Sequence, residues 1–511
     1  MSDPRAETLT LTEIAQLANV GPSAVSNWRS RSVDFPVQVE GGRFLRTEVE
    51  SWLRLHKKDI QVSRDPVDVG TITWQAADSL RAAAPVEDVL LLLLQLVLLR
   101  SGGTTATDLR WRRVVSDPTT VEPALGDLGR EVSQGDRYLT IALEPAMSIR
   151  RVPPTAMAPV LRALDGLPAG TDWSELAVEL VTTFPARFGL RGAESFTTQG
   201  LADAMLAIAG PRRGRIYDPA AGAGTLLALA ARSGASSSQL HLFGQDVNAQ
   251  ALRIARLLLG TSGVSVELEL GDTLIDDRFA RLEADLVLAQ PPLNLRIPYR
   301  DALSFDPRWT WGIPTGTADW LWVQHAHGHL AERGTAVVVL APGILFRSED
   351  EIIRRRMLED RALEAVVQLP TGMVPGTSVA ATALVLRRGA RANRERVLFV
   401  DLSRSGTRAR GELARLSEGD LRQVARMFAD WRDGNQVVMP GTAGALPVED
   451  LLNSGANLLP ARYIDAEPAM DAAQIVGNVR QLRAELSRQI DAFPAAARDL
   501  ERRLARFEER R

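Results

Sequence analysis

What this chain lacks excludes several common chemistries. It has no cysteine, so it forms no disulfide and offers no thiolate to a metal, a pattern that fits a reducing cytoplasm. Lysine occurs only as Lys57 and Lys58, and arginine carries the rest of the positive charge. With a net charge of −3 and a pI near 6.1, any contact with nucleic acid has to come from a local basic patch. The greasiest run, 89–99, is too short to span a bilayer and reads as a buried helix. The opening MSDPRAETLT has no apolar targeting segment, and a cytoplasmic location is expected. Reactive motifs are missing too: there is no HExxH, no GxSxG and no Gly-Lys-Ser/Thr phosphate loop. His325, His327 and His329 stand close together, but on a helix His327 points away from the other two, and no metal is expected.

At 511 residues the chain is long enough for several cores, and five stretches can be told apart. Residues 1–60 form a compact module. Thr10 with Glu13 makes a capping box, Asn19 suits a left-handed turn, and Pro22 suits the first turn of a second helix. Glu40-Gly41-Gly42 separates two short strand-like runs as a hairpin would. The pattern predicts a winged helix-turn-helix whose Ser26, Asn27, Arg29, Arg31 and Arg43 face double-stranded DNA; a helical hairpin for protein contacts fits the same pattern. Residues 66–190 read as a helical domain without visible chemistry. Residues 191–403 alternate strands and helices, as an α/β domain with a mainly parallel, doubly wound sheet does. Residues 404–465 are a small extension. In 466–511, Ile475, Val479, Leu482, Leu486, Ile490 and Phe493 recur at helical spacing, a stripe for a partner, for a second copy of the chain, or for packing back on it.

The α/β stretch is organised around Arg215 to Leu227, RIYDPAAGAGTLL. A short strand breaks at Asp218-Pro219, glycines 222 and 224 space a loop, and a helix opens at Thr225. Such a loop lets a ligand approach the backbone, and the helix start supplies unpaired N–H groups. The third glycine of the dinucleotide fingerprint is missing, because Leu227 stands there. The second strand ends at Asp246, where a carboxylate can accept both ribose hydroxyls. The third ends at Asp272, and the fourth runs into Gln290-Pro291-Pro292-Leu293. Further strands are predicted at 335–340, 363–369, 381–386 and 397–402. Acids 218, 246 and 272 at the carboxyl ends of successive strands lie where such sheets bind ligands.

In this order the motifs resemble the S-adenosylmethionine-dependent N6-adenine DNA methyltransferases, specifically the modification subunits of type I restriction-modification systems. The resemblance spans roughly 190–465 and includes Phe196-Thr197, the glycine loop, the two later acids, Trp311-Gly312-Ile313-Pro314, Asp319, Gln324-His325 and Leu369-Pro370-Thr371-Gly372. It implies a seven-stranded, Rossmann-like methyltransferase sheet with S-adenosylmethionine as cofactor. Phe196 and Thr197 would contact the cofactor. Asp218, Gly222 and Gly224 would line its methionine part, Asp246 would hold the ribose, and Asp272 would bond the adenine amine. The catalytic stretch leaves no room for a large recognition domain, so the DNA sequence is read either by a separate specificity subunit, as the resemblance implies, or by the amino-terminal module.

The family's catalytic loop is Asn-Pro-Pro-aromatic. Its asparagine oxygen and a proline carbonyl accept hydrogen bonds from the amine of a flipped adenine, and the ring stacks on the base. Here Gln290 moves the amide out by one methylene, and Leu293 removes the ring; Trp309, Trp311 or Phe305 are the nearby substitutes. Two readings follow: an adenine-N6 DNA methyltransferase, or a catalytically silent relative that binds DNA and the cofactor as a regulator or scaffold. The fused amino-terminal module is foreign to a type I modification subunit.

Overall fold

The computed structural model describes residues 8–11, 14–15, 25, 28–29, 35–36, 38–39, 43–45, 49, 52, 78–80, 83–102, 105–132, 141–144, 150, 152–168, 170–188, 196–232, 239–297, 303–374, 380–389, 392–407 and 413–464. The chain divides into two compact units, 1–135 with 143–180, and 136–142 with 181–511.

In the first unit, strands β1 (Thr8–Leu9), β2 (Gln38–Val39) and β3 (Arg43–Leu45) form a small antiparallel sheet with β3 in the middle. The expected hairpin is therefore present, and β1 adds to its free edge. Ile14, Ala15, Val25, Phe35, Phe44, Val49 and Trp52 close into one core. Phe35 meets Phe44 and Trp52 edge-on at 5.6 and 5.0 Å between centroids. Helices α1 (Val86–Ser101), α2 (Thr105–Ser116), α3 (Val121–Val132) and α4 (Pro154–Asp165) follow. Helix α1 is buried all round from Val89 to Leu99, and each of its fully buried leucines contributes roughly 1.5–3 kcal/mol. Its one buried amide, Gln95, donates to the Glu144 carbonyl at 3.1 Å. Among the described residues, no helix is long and apolar enough to cross a membrane.

The second unit is built on one sheet. Its strands are β4 (Gly214–Asp218), β5 (Leu240–Asp246), β6 (Ser265–Leu270), β7 (Ala284–Ala289), β8 (Leu330–Leu340), β9 (Leu363–Thr371), β10 (Ala380–Arg387), β11 (Arg396–Asp401) and β12 (Ala443–Pro447). They lie in the order β12-β11-β9-β10-β8-β7-β4-β5-β6. From β6 to β8 all neighbours are parallel, and β10 then inserts antiparallel between β8 and β9. The sheet thus has nine strands where seven were expected. The family-like seven end at β9, whose free edge of N–H and C=O groups is taken up by β11 in parallel and then by β12 antiparallel. Paired edges no longer template aggregation.

Central strands are apolar on both faces, as helices covering both sides of a parallel sheet require; Ala336 to Leu340 of β8 are all fully buried. Helices α5 (Gln199–Ala209), α6 (Thr225–Arg232), α7 (Ala249–Gly260), α8 (Asp319–Gly328), α9 (Glu351–Glu359), α10 (Glu418–Arg432) and α11 (Val448–Asn453) complete the unit. Thr198 caps α5 by accepting from Leu201 N, and Asn248 caps α7 by accepting from Gln250 N and Ala251 N. The order of connection reverses at β4: the chain runs outward to β5 and β6, then returns to β7 on the other side. The crevice at that switch point, beyond the carboxyl ends of the strands, is where such sheets hold ligands.

Candidate active site

The crevice is a cavity of ≈ 220 Å³ lined by the loops that follow β4, β5, β6 and β7. From the predicted set, Thr197, Gly222, Asp246, Asp272, Gln290 and Pro292 border it. The glycine loop and the acid after β5 are tied directly: Asp246 accepts from Gly222 N and from Asn248 N, both at 2.8 Å. Burial pushes the Asp246 carboxyl above its ordinary range, against the pull of these backbone hydrogen bonds. Asp272 is exposed at the rim, where it accepts from Leu274 N at 3.1 Å.

Gly224 has φ +79° and packs toward α7, and a Cβ built on it would lie 2.9 Å from the Cβ of Ala255. It is thus needed for helix packing and does not border the cavity. Asp218 does not border it either. Its carboxyl is 1 % exposed, accepts from Ala220 N at 3.0 Å, and is pushed up to about 8 by burial, with the nearby Asp246 adding to the shift. Phe196 is likewise buried, one residue from the cavity wall.

At the end of β7, the side-chain oxygen of Gln290 is buried and has no hydrogen-bond partner. A desolvated acceptor of this kind costs about 1–3 kcal/mol unless a ligand meets it. Pro291 is buried, Pro292 is exposed on the cavity, and Leu293 is half-buried away from it. The loop beyond is fixed from several sides. Asn294 has φ +55° and accepts from Arg347 Nη2 at 2.9 Å, while Leu295 O accepts from Ala318 N at 2.8 Å. Arg347 also reaches Thr317 Oγ1 at 3.1 Å and Asp319 at 3.4 Å.

None of the three candidate rings borders the cavity. Phe305 is 94 % exposed, and Trp311 is buried with its Nε1 donating to Asp360 at 2.6 Å. Trp309 is buried beneath the Arg308 guanidinium, 4.6 Å from its ring centroid. The aromatic that does line the wall is Trp322 of α8, which packs with Leu274, Leu303 and Trp309. Val247, Asn248 and Thr273 line it as well. Asn248, which caps α7 two residues after the strand-end acid, is the member of that group that a turn-and-cap pattern could have revealed.

This arrangement can be set beside known proteins. Residues 179–472, more than half of the chain, match the family described as N-6 DNA Methylase. The chain belongs to that family. Its first 178 residues lie outside the match. The methylase subunit of the type I restriction enzyme HindI from Haemophilus influenzae is 25 % identical over 323 residues, covering 60 % of this chain and 72 % of that protein. The MjaIX methylase subunit from Methanocaldococcus jannaschii is 24 % identical over 319 residues, 59 % of this chain and 57 % of its own length. Among solved structures, the methyltransferase subunit of a type I restriction-modification system from Streptococcus thermophilus superposes with a TM-score of 0.65 at 22 % identity, over 78 % of this chain and 99 % of that one. The chain therefore carries the methyltransferase fold.

For the amino-terminal module, Ser26, Asn27 and Arg31 lie outside the described residues. Arg29 is exposed, and Arg43 is placed in β3. The apolar stripe in 466–511 also lies outside the described residues.

Proposed function

We propose that this chain transfers a methyl group from S-adenosylmethionine to the exocyclic N6 of an adenine flipped out of duplex DNA, as the modification subunit of a type I-like system. The observation that carries this reading is the unpartnered oxygen of Gln290 on the cavity that Asp246 and Asp272 border. The residues fit the cofactor: Asp246 keeps lone pairs beyond those used by Gly222 and Asn248 for a ribose, and Asp272 faces outward for an amine. When bound, the cofactor supplies an electrophilic methyl group. Gln290 Oε1 would accept a hydrogen bond from the target amine and fix the direction of its lone pair, so its catalytic effect would be largely positional. The Trp322 ring provides the apolar wall that Leu293 does not.

Two measurements test the roles separately. Asp246→Ala should weaken cofactor binding by about 1–3 kcal/mol in calorimetry. Trp322→Ala should raise the KM for DNA by roughly tenfold, in keeping with the ~1–3 kcal/mol of one base stack. The reading itself is tested by transfer of labelled methyl groups to genomic DNA, with and without the proteins encoded beside this one; no transfer under either condition would reject it. Sequence reading is assigned to a separate specificity subunit. The 1–60 module, with Ser26, Asn27, Arg29, Arg31 and Arg43, would then add a second DNA contact, seen as binding that falls steeply with salt.

Leu293 supports a second reading, a silent relative that binds cofactor and DNA as a regulator. Under it, mutating Gln290 has no biological consequence and mutating the 1–60 module does.

A further inference from the structure

Behind the cavity, Asp277, His325 and His329 bring their ligand atoms within 4.8 Å of one another, close enough that the three could hold a metal ion. The hydrogen bonds account for their lone pairs. His329 Nδ1 donates to the Leu282 carbonyl at 2.9 Å, and its Nε2 lies 3.0 Å from Asp277 Oδ2, so a proton lies between those two atoms. Arg308 Nη1, which can only donate, stands 3.1 Å from His325 Nδ1. The proton of His325 is therefore on Nε2, 3.1 Å from the Tyr217 oxygen. The same Nη1 is 3.6 Å from Asp277. A cation beside this cluster is thus already present, in the form of a guanidinium.

That guanidinium also reaches the cofactor side. Nη1 donates to Thr273 O at 2.9 Å and Nη2 to Leu274 O at 2.7 Å, while Nε and Nη2 clasp Asp306 at 2.6–3.1 Å. Thr273 borders the cavity and directly follows Asp272. We propose that Arg308 is a positioning residue: it takes the place a divalent cation would have beside Asp277, His325 and His329, and from there holds the Asp272–Leu274 backbone in register with the cavity. The proposal rests on the cavity being the cofactor site.

The test uses the full chain with Arg308→Lys and Arg308→Ala. Lysine keeps the charge and loses the fork, so cofactor Kd should rise on the order of tenfold for Arg308→Lys and further for Arg308→Ala, as charge-assisted hydrogen bonds disappear. At saturating cofactor, kcat should stay within about twofold of wild type and the KM for DNA should not change. A merely structural role would lower kcat, cofactor affinity and DNA affinity together. Zn²⁺ supplies a second readout. Arg308→Ala should take up about one equivalent, with ligands of ordinary zinc type, while wild type takes up none. Unchanged cofactor affinity in folded Arg308→Lys, or stoichiometric zinc in wild type, would overturn the proposal. If Arg308→Ala does not fold, Arg308→Lys and the wild-type zinc titration decide. Failure of wild type to bind cofactor would instead overturn the reading of the cavity, and the zinc arm alone would then judge Arg308.

Discussion

Gln290→Ala is expected to lower methyl transfer by a factor on the order of 10²–10³, the usual loss when a preorganised polar contact to the reacting group is removed, while calorimetry records unchanged cofactor binding. The two effects separate because the Gln290 oxygen is buried without a partner. Removing it breaks no hydrogen bond in the resting protein, so the thermal midpoint should not fall. Only the complex with the target amine loses an interaction, and it loses it where the amine's lone pair has to be aimed, which lowers kcat more than it raises KM. Gln290→Asn combined with Leu293→Phe restores the family's amide length and adds a ring, and should preserve or raise the rate. Transfer that persists at the wild-type rate in Gln290→Ala would remove Gln290 from the mechanism.

The second large effect is on stability and concerns Asp218. Its carboxyl is wholly buried and pushed up to about 8, from an ordinary value of 3.8. The folded protein thus keeps this proton up to about pH 8, whereas the unfolded chain releases it near pH 4. Between those values the folded state binds more protons, so Asp218 makes stability fall as pH rises, by about 1.4 kcal/mol per unit. Above the folded value the slope disappears. Asp218→Asn keeps the acceptor for Ala220 N without the ionisable group. Urea denaturation at pH 5 and pH 8 should therefore find the variant more stable than wild type by several kcal/mol at pH 8, with a much smaller gap at pH 5. Equal pH slopes for the two proteins would mean that Asp218 is ionised when folded.

Most of the α/β core was legible because buried parallel strands are continuous apolar runs that end in turn residues. Eight strands fall where those runs predict them, from Gly214–Asp218 to Arg396–Asp401. Strand β12 was missed: AGALP has little strand propensity and is held by its backbone pairing with β11. The lining of the cavity was legible where a residue type is tied to a strand end, as with Asp246, Asp272 and Gln290. Trp322 was not, because residues 319–326 of α8 are buried on every side, and a helix without a polar face gives no sign of which side meets a cavity. The histidines show the same limit. Helical spacing separated His327, which stacks on Trp311 at 5.0 Å, from His325 and His329, which face each other at 4.4 Å. Their partners Asp277 and Arg308 come from distant loops, and no local pattern announces them.

Gly224 carries a consequence for how relatives of this chain are recognised. A Cβ there would press on Ala255, so the glycine is required by the contact between two helices whether or not a ligand ever arrives. A descendant that had ceased to methylate anything would still unfold partway without it, and its glycine-spaced loop would persist as a fossil of architecture. Gly224 therefore diagnoses the fold and says little about chemistry; Gln290, whose oxygen no group of the resting protein uses, is the position where loss of the reaction would first be written.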